Sequence, residues 1–249
     1  MGDSLGAALV SFGTGLVFVS LISLVRKDVR AGFKDIFKAS QAKQLPSWRL
    51  GAGVLGASFV AISTHVVPIA GVALFTVASL AGQTAISLWV DHIGVAGSGK
   101  TLITKRRVIA ALITVSAVVL SAWDRFLMSD FSILAITLAI FAGSGVGVQR
   151  ALNGQINSYS KRSFATSQLN FITGTIFLLL LLLIRSLFTD YSITNFTSGP
   201  WWIFLGGSIG VIYIAFTAVA VQHLGVLEFT LFSEWLYFTI CFGDYVNCK

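Results

Sequence analysis

Phe12-Gly13-Thr14-Gly15-Leu16-Val17-Phe18 and Phe171-Ile172-Thr173-Gly174-Thr175-Ile176-Phe177 are one pattern written twice in the same chain. The match continues at a constant offset, Leu21, Leu24 and Arg26 falling on Leu180, Leu183 and Arg185. After a small deletion, Trp48, Gly53, Gly56, Ala61, Gly71, Val72, Phe75, Thr76 and Ser79 fall on Trp202, Gly207, Gly210, Ala215, Gly225, Val226, Phe229, Thr230 and Ser233. Apolar composition alone produces chance Leu and Val matches, but shared Gly, Trp and Thr positions are harder to obtain that way, so the chain reads as an internal duplication.

The two copies are made of membrane-spanning sequence. Of the 249 residues 55% are hydrophobic and only 11% charged, with a mean hydropathy of +0.85, too apolar for a water-soluble core with a polar shell. Apolar stretches of spanning length run near 5–25, 50–69, 71–90, 108–123, 131–148, 164–184, 201–221 and 226–241, eight in all. Hydrocarbon offers no partner to a backbone amide, so each stretch satisfies its own amides as a helix; the alternation of a barrel strand is absent. Trp48, Trp89, Trp123, Trp201 and Trp202 sit at span ends, where an indole favours the headgroup level. The first stretch has no basic region before it and is expected to remain as a span rather than be cleaved.

Because span one falls on span six and span two on span seven, the period is five helices, an odd number. The predicted fold is therefore an all-α bundle of two copies in opposite orientation, residues 1–125 and 126–249. Inverted repeats are a signature of secondary transporters, in which exchanging the conformations of two halves moves an opening from one face to the other. A whole version would have ten helices, so the chain reads as lacking the first and the last.

Charge sets the expected orientation. Arg26, Lys27, Arg30, Lys34, Lys38, Lys43 and Arg49 follow span one; Lys100, Lys105, Arg106 and Arg107 precede span four; Arg150, Lys161 and Arg162 follow span five. Only Arg125, Arg185 and Lys249 fall on the other side, so loops 26–49, 92–107 and 149–163 are expected in the cytoplasm and both termini outside. The net charge of +7 is thereby a topology signal and not a nucleic-acid-binding face.

The residues resemble the ten-helix drug/metabolite transporter superfamily, in particular the DUF606 (YdcZ-like) bacterial inner-membrane proteins. The resemblance rests on Val148-Gln-Arg-Ala-Leu-Asn153-Gly leading into Leu169-Asn-Phe-Ile-Thr-Gly174, on Gly71-Val-Ala-Leu-Phe-Thr76, and on Ala81-Gly-Gln83 leading to Asp91-His92-Ile-Gly94. It implies a plasma-membrane protein with five-plus-five inverted repeats around a central cavity. From Glu234 onward the sequence departs from the family pattern.

Candidate functional residues are polar groups at span depth. Gln83 and Asn170, with Thr76 and Thr173 as weaker cases, are candidates for substrate binding; an interhelical hydrogen bond is the simpler account of each amide, and a threonine can satisfy its hydroxyl on its own helix. Glu228 is a candidate for proton coupling, with an interfacial position as the alternative, and Glu234 falls in the departing tail. Asp91 and His92 are candidates for a cytoplasmic gate. His65 reads as a lone histidine on an apolar helix.

Gly94-Val-Ala-Gly-Ser-Gly99-Lys100-Thr101 has phosphate-loop spacing, but it follows a span and lacks a neighbouring strand, so it reads as a glycine-rich turn. Gly143 to Gly147 and Gly206 to Gly210 are spacings for close helix approach. Cys241 and Cys248 form neither a disulfide framework nor a zinc set, and Asn195-Phe-Thr197 is a glycosylation sequon in a loop expected outside.

No catalytic constellation, metal site or cofactor is expected. The expected partners are the lipid bilayer and a small molecule, a homodimer being compatible with such a bundle. The two functions the sequence supports are a secondary transporter, exporter-like, of small metabolites or drugs, and a non-transporting membrane component or inactive truncated paralogue with the same fold.

Overall fold

The computed structural model describes residues 4–97, 99–121, 133–188 and 201–247, with the backbone alone for 114, 117, 118, 121, 201, 203 and 237–247. Among the described residues the chain is helical throughout: α1 (Ser4–Val25), α2 (Lys27–Gln41), α3 (Ala52–Ala70), α4 (Val72–Ile93), α5 (Lys105–Ser121), α6 (Ile133–Ser160), α7 (Ser163–Phe188), α8 (Leu205–Leu224) and α9 (Val226–Asn247). Short 3-10 turns, Ser47–Gly51 and Trp201–Phe204, lead into α3 and α8. Trp123, Arg125, the Asn195 sequon, Cys248 and Lys249 lie outside the described residues.

Among the described residues six segments are long and apolar enough to cross a membrane: α1, α3 with its 3-10 turn, α4, α6, α7 and α8. Eight spans are expected from the sequence. Of the other two, α5 has 17 residues, about 26 Å at 1.5 Å per residue, against a hydrocarbon core of about 30 Å. α9 has the length but carries Glu228, Glu234 and Asp244.

Two stretches read as loops are helical. Within 26–49, α2 buries Val29, Gly32, Ile36 and Ala39, one residue every three or four, against Leu152 and Ile156 of α6 and Ala165 and Leu169 of α7. Its lysines 27, 34 and 38 and Arg30 are exposed on the other face. At the α1–α2 corner, Arg26 donates to Asp28 at 2.7 Å, and this hydrogen bond holds the Asp28 carboxyl below its ordinary value; the pair is exposed, so it contributes little stability.

The segment 149–163 is not a loop either. α6 continues through it to Ser160, and only Lys161 and Arg162 separate it from α7. Gln149, Arg150, Asn153 and Asn157 look like the polar start of a loop, but they are buried, with at most 7% of their surface exposed, facing the interior of the bundle. Arg150 is therefore not a loop cation.

Helices approach where Cβ atoms are missing. A methyl on Gly143 would lie 1.9 Å from the Ser79 carbonyl oxygen, and one on Gly82 would lie 2.2 Å from that of Ile140, so α4 and α6 touch backbone to backbone. The duplicated residues make matching contacts. A Cβ on Gly15 would meet Phe171 and the Gly207 carbonyl, while one on Gly174 would meet Phe12 and the Gly53 carbonyl. A Cβ on Gly53 would meet the Asn170 carbonyl and Thr173 Oγ1; one on Gly207 would meet the Ser11 carbonyl and Thr14 Oγ1. Each residue in one set is the sequence repeat of its counterpart in the other. Gly71 and Gly225 likewise share positive φ, 83° and 91°, at the α3–α4 and α8–α9 junctions, with equivalent amide bonds to Val67 and Val221.

Gly143→Ala is expected to cost about 1–3 kcal/mol by overpacking, lowering the thermal midpoint of the protein in detergent. Gly13→Ala, with nothing within 4 Å of the new methyl, is the control and leaves the midpoint unchanged or slightly raised.

Candidate functional site

A cavity of about 520 Å³ opens between α1, α3 and α4 on one side and α6 to α9 on the other. Its walls are chiefly aromatic and glycine: Phe12, Phe59, Phe75 and Phe171 face Gly206, Gly207 and Gly210. Phe12 and Phe171, a repeat-related pair, pack with ring centroids 5.1 Å apart, and Phe59 and Phe75 at 5.6 Å. Gly206 of α8 adds to this space, since a Cβ there would have no neighbour nearer than Ser11 Oγ at 4.0 Å.

Two charges stand in this apolar space. Arg150 of α6 donates from Nη1 to Thr230 Oγ1 at 2.9 Å and from Nη2 to the Tyr213 hydroxyl at 2.7 Å, and its guanidinium lies 5.3 Å from the centre of the Phe229 ring. Glu234 of α9 is 4% exposed and its Oε1 accepts from the Thr84 hydroxyl at 2.9 Å. Ion pairs among the described residues are made by Arg26, Lys38 and Arg107, and none joins Arg150 to Glu234. Gln83 lines the same cavity beside Thr84, and its Oε1 is buried without a hydrogen-bond partner.

The sequence-derived candidates divide between the cavity and its surroundings. Gln83 and Thr76 line the cavity, Thr76 with its hydroxyl on the Val72 carbonyl of its own helix. Asn170 and Thr173 lie outside the lining. Asn170 accepts from Gln149 Nε2 at 2.7 Å and donates to Asn153 Oδ1, so it ties α7 to α6; Thr173 bonds the Leu169 carbonyl. Glu228 is in the first turn of α9, its side chain 51% exposed and 3.4 Å from Arg107, rather than at the depth of the cavity. His92 and His65 are exposed.

Asp91 is wholly buried at the far end of α4. Its Oδ1 accepts from the Val226 amide at 2.8 Å, and its Oδ2 from the Leu227 amide at 3.0 Å and from Arg107 Nη2 at 2.7 Å. One carboxylate thus caps the N-terminus of α9 and pairs with the start of α5, eight residues or about 12 Å along α4 from Gln83. The glycine-rich segment after it is a turn: the Gly94 amide closes on Val90 and Asp91, and Gly94, Gly97 and Gly99 all take positive φ.

Arg150 and Glu234 are the site residues that sequence reading missed. Arg150 was hidden by ending the fifth span at Val148, although Gly143, Gly147, Ala151 and Gly154 carry a small-residue face past that point. Glu234 was hidden by the departure of the tail from the repeat.

The family model described as "Putative inner membrane exporter, YdcZ" matches residues 1–120 and 134–233. The chain belongs to this family. It is a multi-pass membrane protein of a transporter family within the drug/metabolite transporter group, not of an enzyme family. The match reaches across both copies of the repeat and ends one residue before Glu234. No curated protein and no solved structure matches the chain.

Asp91→Ala would leave Arg107 and two helix amides without their buried partner, an expected loss of about 3 kcal/mol or more. Glu228→Ala, at a half-exposed position, is expected to cost less than about 1 kcal/mol. Thermal unfolding of the two variants in the same detergent checks the order.

Proposed function

We propose that this YdcZ-family chain moves a small organic molecule across the plasma membrane by alternating access, with the substrate held in the cavity between the two copies. The observation that carries the reading is the cavity itself: largely apolar walls contributed by both copies, with Arg150, Glu234 and Gln83 on the lining of one partly open volume inside a membrane bundle. Ionisable groups at that depth are costly and mark a pathway.

The contact pairs support opposed orientations for the copies. Gly15 meets Phe171 while Gly174 meets Phe12, so positions advancing along α1 meet positions receding along α7. A two-fold axis in the membrane plane has this consequence, and it lets the same two groups of helices open toward either face in turn. With basic α2 and the α4–α5 turn placed in the cytoplasm and both termini outside, Asp91 with Arg107 and the α9 amides forms the inner gate, closed below the cavity in this conformation. Substrate would be released outward. Among the original candidates Gln83 and Thr76 then face the substrate, whereas Asn170 and Thr173 hold helices together.

The test uses one cysteine at Ser233, which lines the cavity, in a chain whose Cys241 and Cys248 are serine. In oriented vesicles an impermeant maleimide is expected to label Ser233→Cys from both faces, and Asp91→Asn is expected to raise the rate from the cytoplasmic face. Labelling from one face alone, unaltered by Asp91→Asn, would overturn alternating access and favour a non-transporting component.

A further inference from the structure

Arg150 and Glu234 are held near one another without meeting. Arg150 Nη1 touches Thr230, and Thr230 and Glu234 are four residues apart on α9, on one face and about one turn from each other. In a low-dielectric cavity two opposite charges at that spacing would gain by closing into a pair, yet each is anchored elsewhere: the guanidinium by Thr230, Tyr213 and the face of Phe229, the carboxylate by Thr84. The result is a cavity with polarity. Its Arg150–Tyr213 end presents donors, and its Glu234 end presents a carboxylate beside the unpartnered Gln83 carbonyl.

A purely cationic ligand would satisfy Glu234 and leave the guanidinium uncompensated; a purely anionic one would do the reverse. A ligand carrying an anionic and a cationic group close together compensates both, with a charge-assisted hydrogen bond at each end. Much of the remaining lining is apolar, with Phe12, Phe59, Phe75 and Phe171 beside hydroxyl residues such as Ser11 and Thr76, and it carries no further described charge.

We infer that the cavity binds a zwitterion with an apolar or aromatic side chain, an α-amino acid or a close relative, its carboxylate on Arg150 and Tyr213 and its ammonium on Glu234 and Gln83. The inference rests on the cavity being the substrate site. Its orientation places the apolar group against the phenylalanines and the glycine face of α8.

The experiment is calorimetric or thermal-shift binding to the purified full chain in detergent, with three probes: L-phenylalanine, phenethylamine, which lacks the carboxylate, and 3-phenylpropionate, which lacks the ammonium. L-phenylalanine is expected to bind at least tenfold more tightly than either single-charge analogue. Glu234→Gln is expected to weaken L-phenylalanine at least tenfold while tightening 3-phenylpropionate, whose carboxylate no longer shares the cavity with an uncompensated one. Tyr213→Phe, at a half-exposed position, is expected to weaken L-phenylalanine and 3-phenylpropionate severalfold and phenethylamine not at all, its thermal midpoint reporting that the fold is kept.

Phenethylamine binding as tightly as L-phenylalanine would overturn the inference in favour of a cation site, and 3-phenylpropionate doing so would overturn it in favour of an anion site. Absence of binding by all three would overturn it as well. The Ser233→Cys labelling needs no ligand, so two-sided labelling without zwitterion binding sinks this inference alone, whereas binding with one-sided labelling sinks the transport reading alone.

Discussion

Hydrocarbon has no hydrogen bond to give, and α6 brings four polar side chains into it. Gln149, Arg150, Asn153 and Asn157 fall at i, i+1, i+4 and i+8, so they share the buried side of one helix, and each must find its partner on a neighbour. Gln149 and Asn153 take Asn170 of α7, Asn157 takes Gln222 of α8, and Arg150 takes Thr230 of α9 and Tyr213 of α8. The requirement to satisfy one polar stripe thereby fixes where three other helices sit. On its remaining inner surface α6 carries Gly143 and Gly147, which bring α4 to backbone contact.

This dependence explains what could be read in the sequence and what could not. Apolar runs of about 20 residues identify α1, α3, α4, α7 and α8 to within a few residues, because lipid selects for length and hydrophobicity directly. The repeat was legible because Gly15, Gly53, Gly174 and Gly207 are needed wherever helices cross closely, and such positions resist drift. The second half of α6 was not legible. A polar residue buried against another helix and a polar residue in water look alike in one sequence; only the partner tells them apart, and the partners are up to 80 residues away. The same ambiguity concealed α2, whose period of three to four residues was overshadowed by its lysines.

The two charged clusters of the bundle show opposite solutions to the cost of a buried charge. Asp91 has two backbone amides and a guanidinium, a set that occupies three of its roughly four lone-pair positions and locks the ends of α4, α5 and α9 together. Arg150 and Glu234 have neutral hydroxyl partners instead, which soften the desolvation of a charge without cancelling it. A cluster that exists only to stabilise would be expected to bring cation and carboxylate together, and Thr230, the partner of Arg150, lies on the same helix as Glu234.

In the carrier proposed above, a ligand that completes the site gives each of these groups a charged partner on binding, and a bundle with two conformations would be biased by that difference. In the gate proposed above, Asp91 is instead held from within the protein, by two backbone amides and Arg107. The polar groups of α6 lie along the line between the two, Gln149 and Arg150 at the cavity and Asn157 toward the closed end, each paired across a helix interface rather than within one helix. Side chains bonded across an interface can exchange partners when the interface shifts, whereas backbone-capped hydroxyls such as those of Thr76 and Thr173 cannot signal such a shift. In that proposed reading, the residues placed to respond to both the cavity and the Asp91 cluster are those of α6, the helix on which the packing of the others depends.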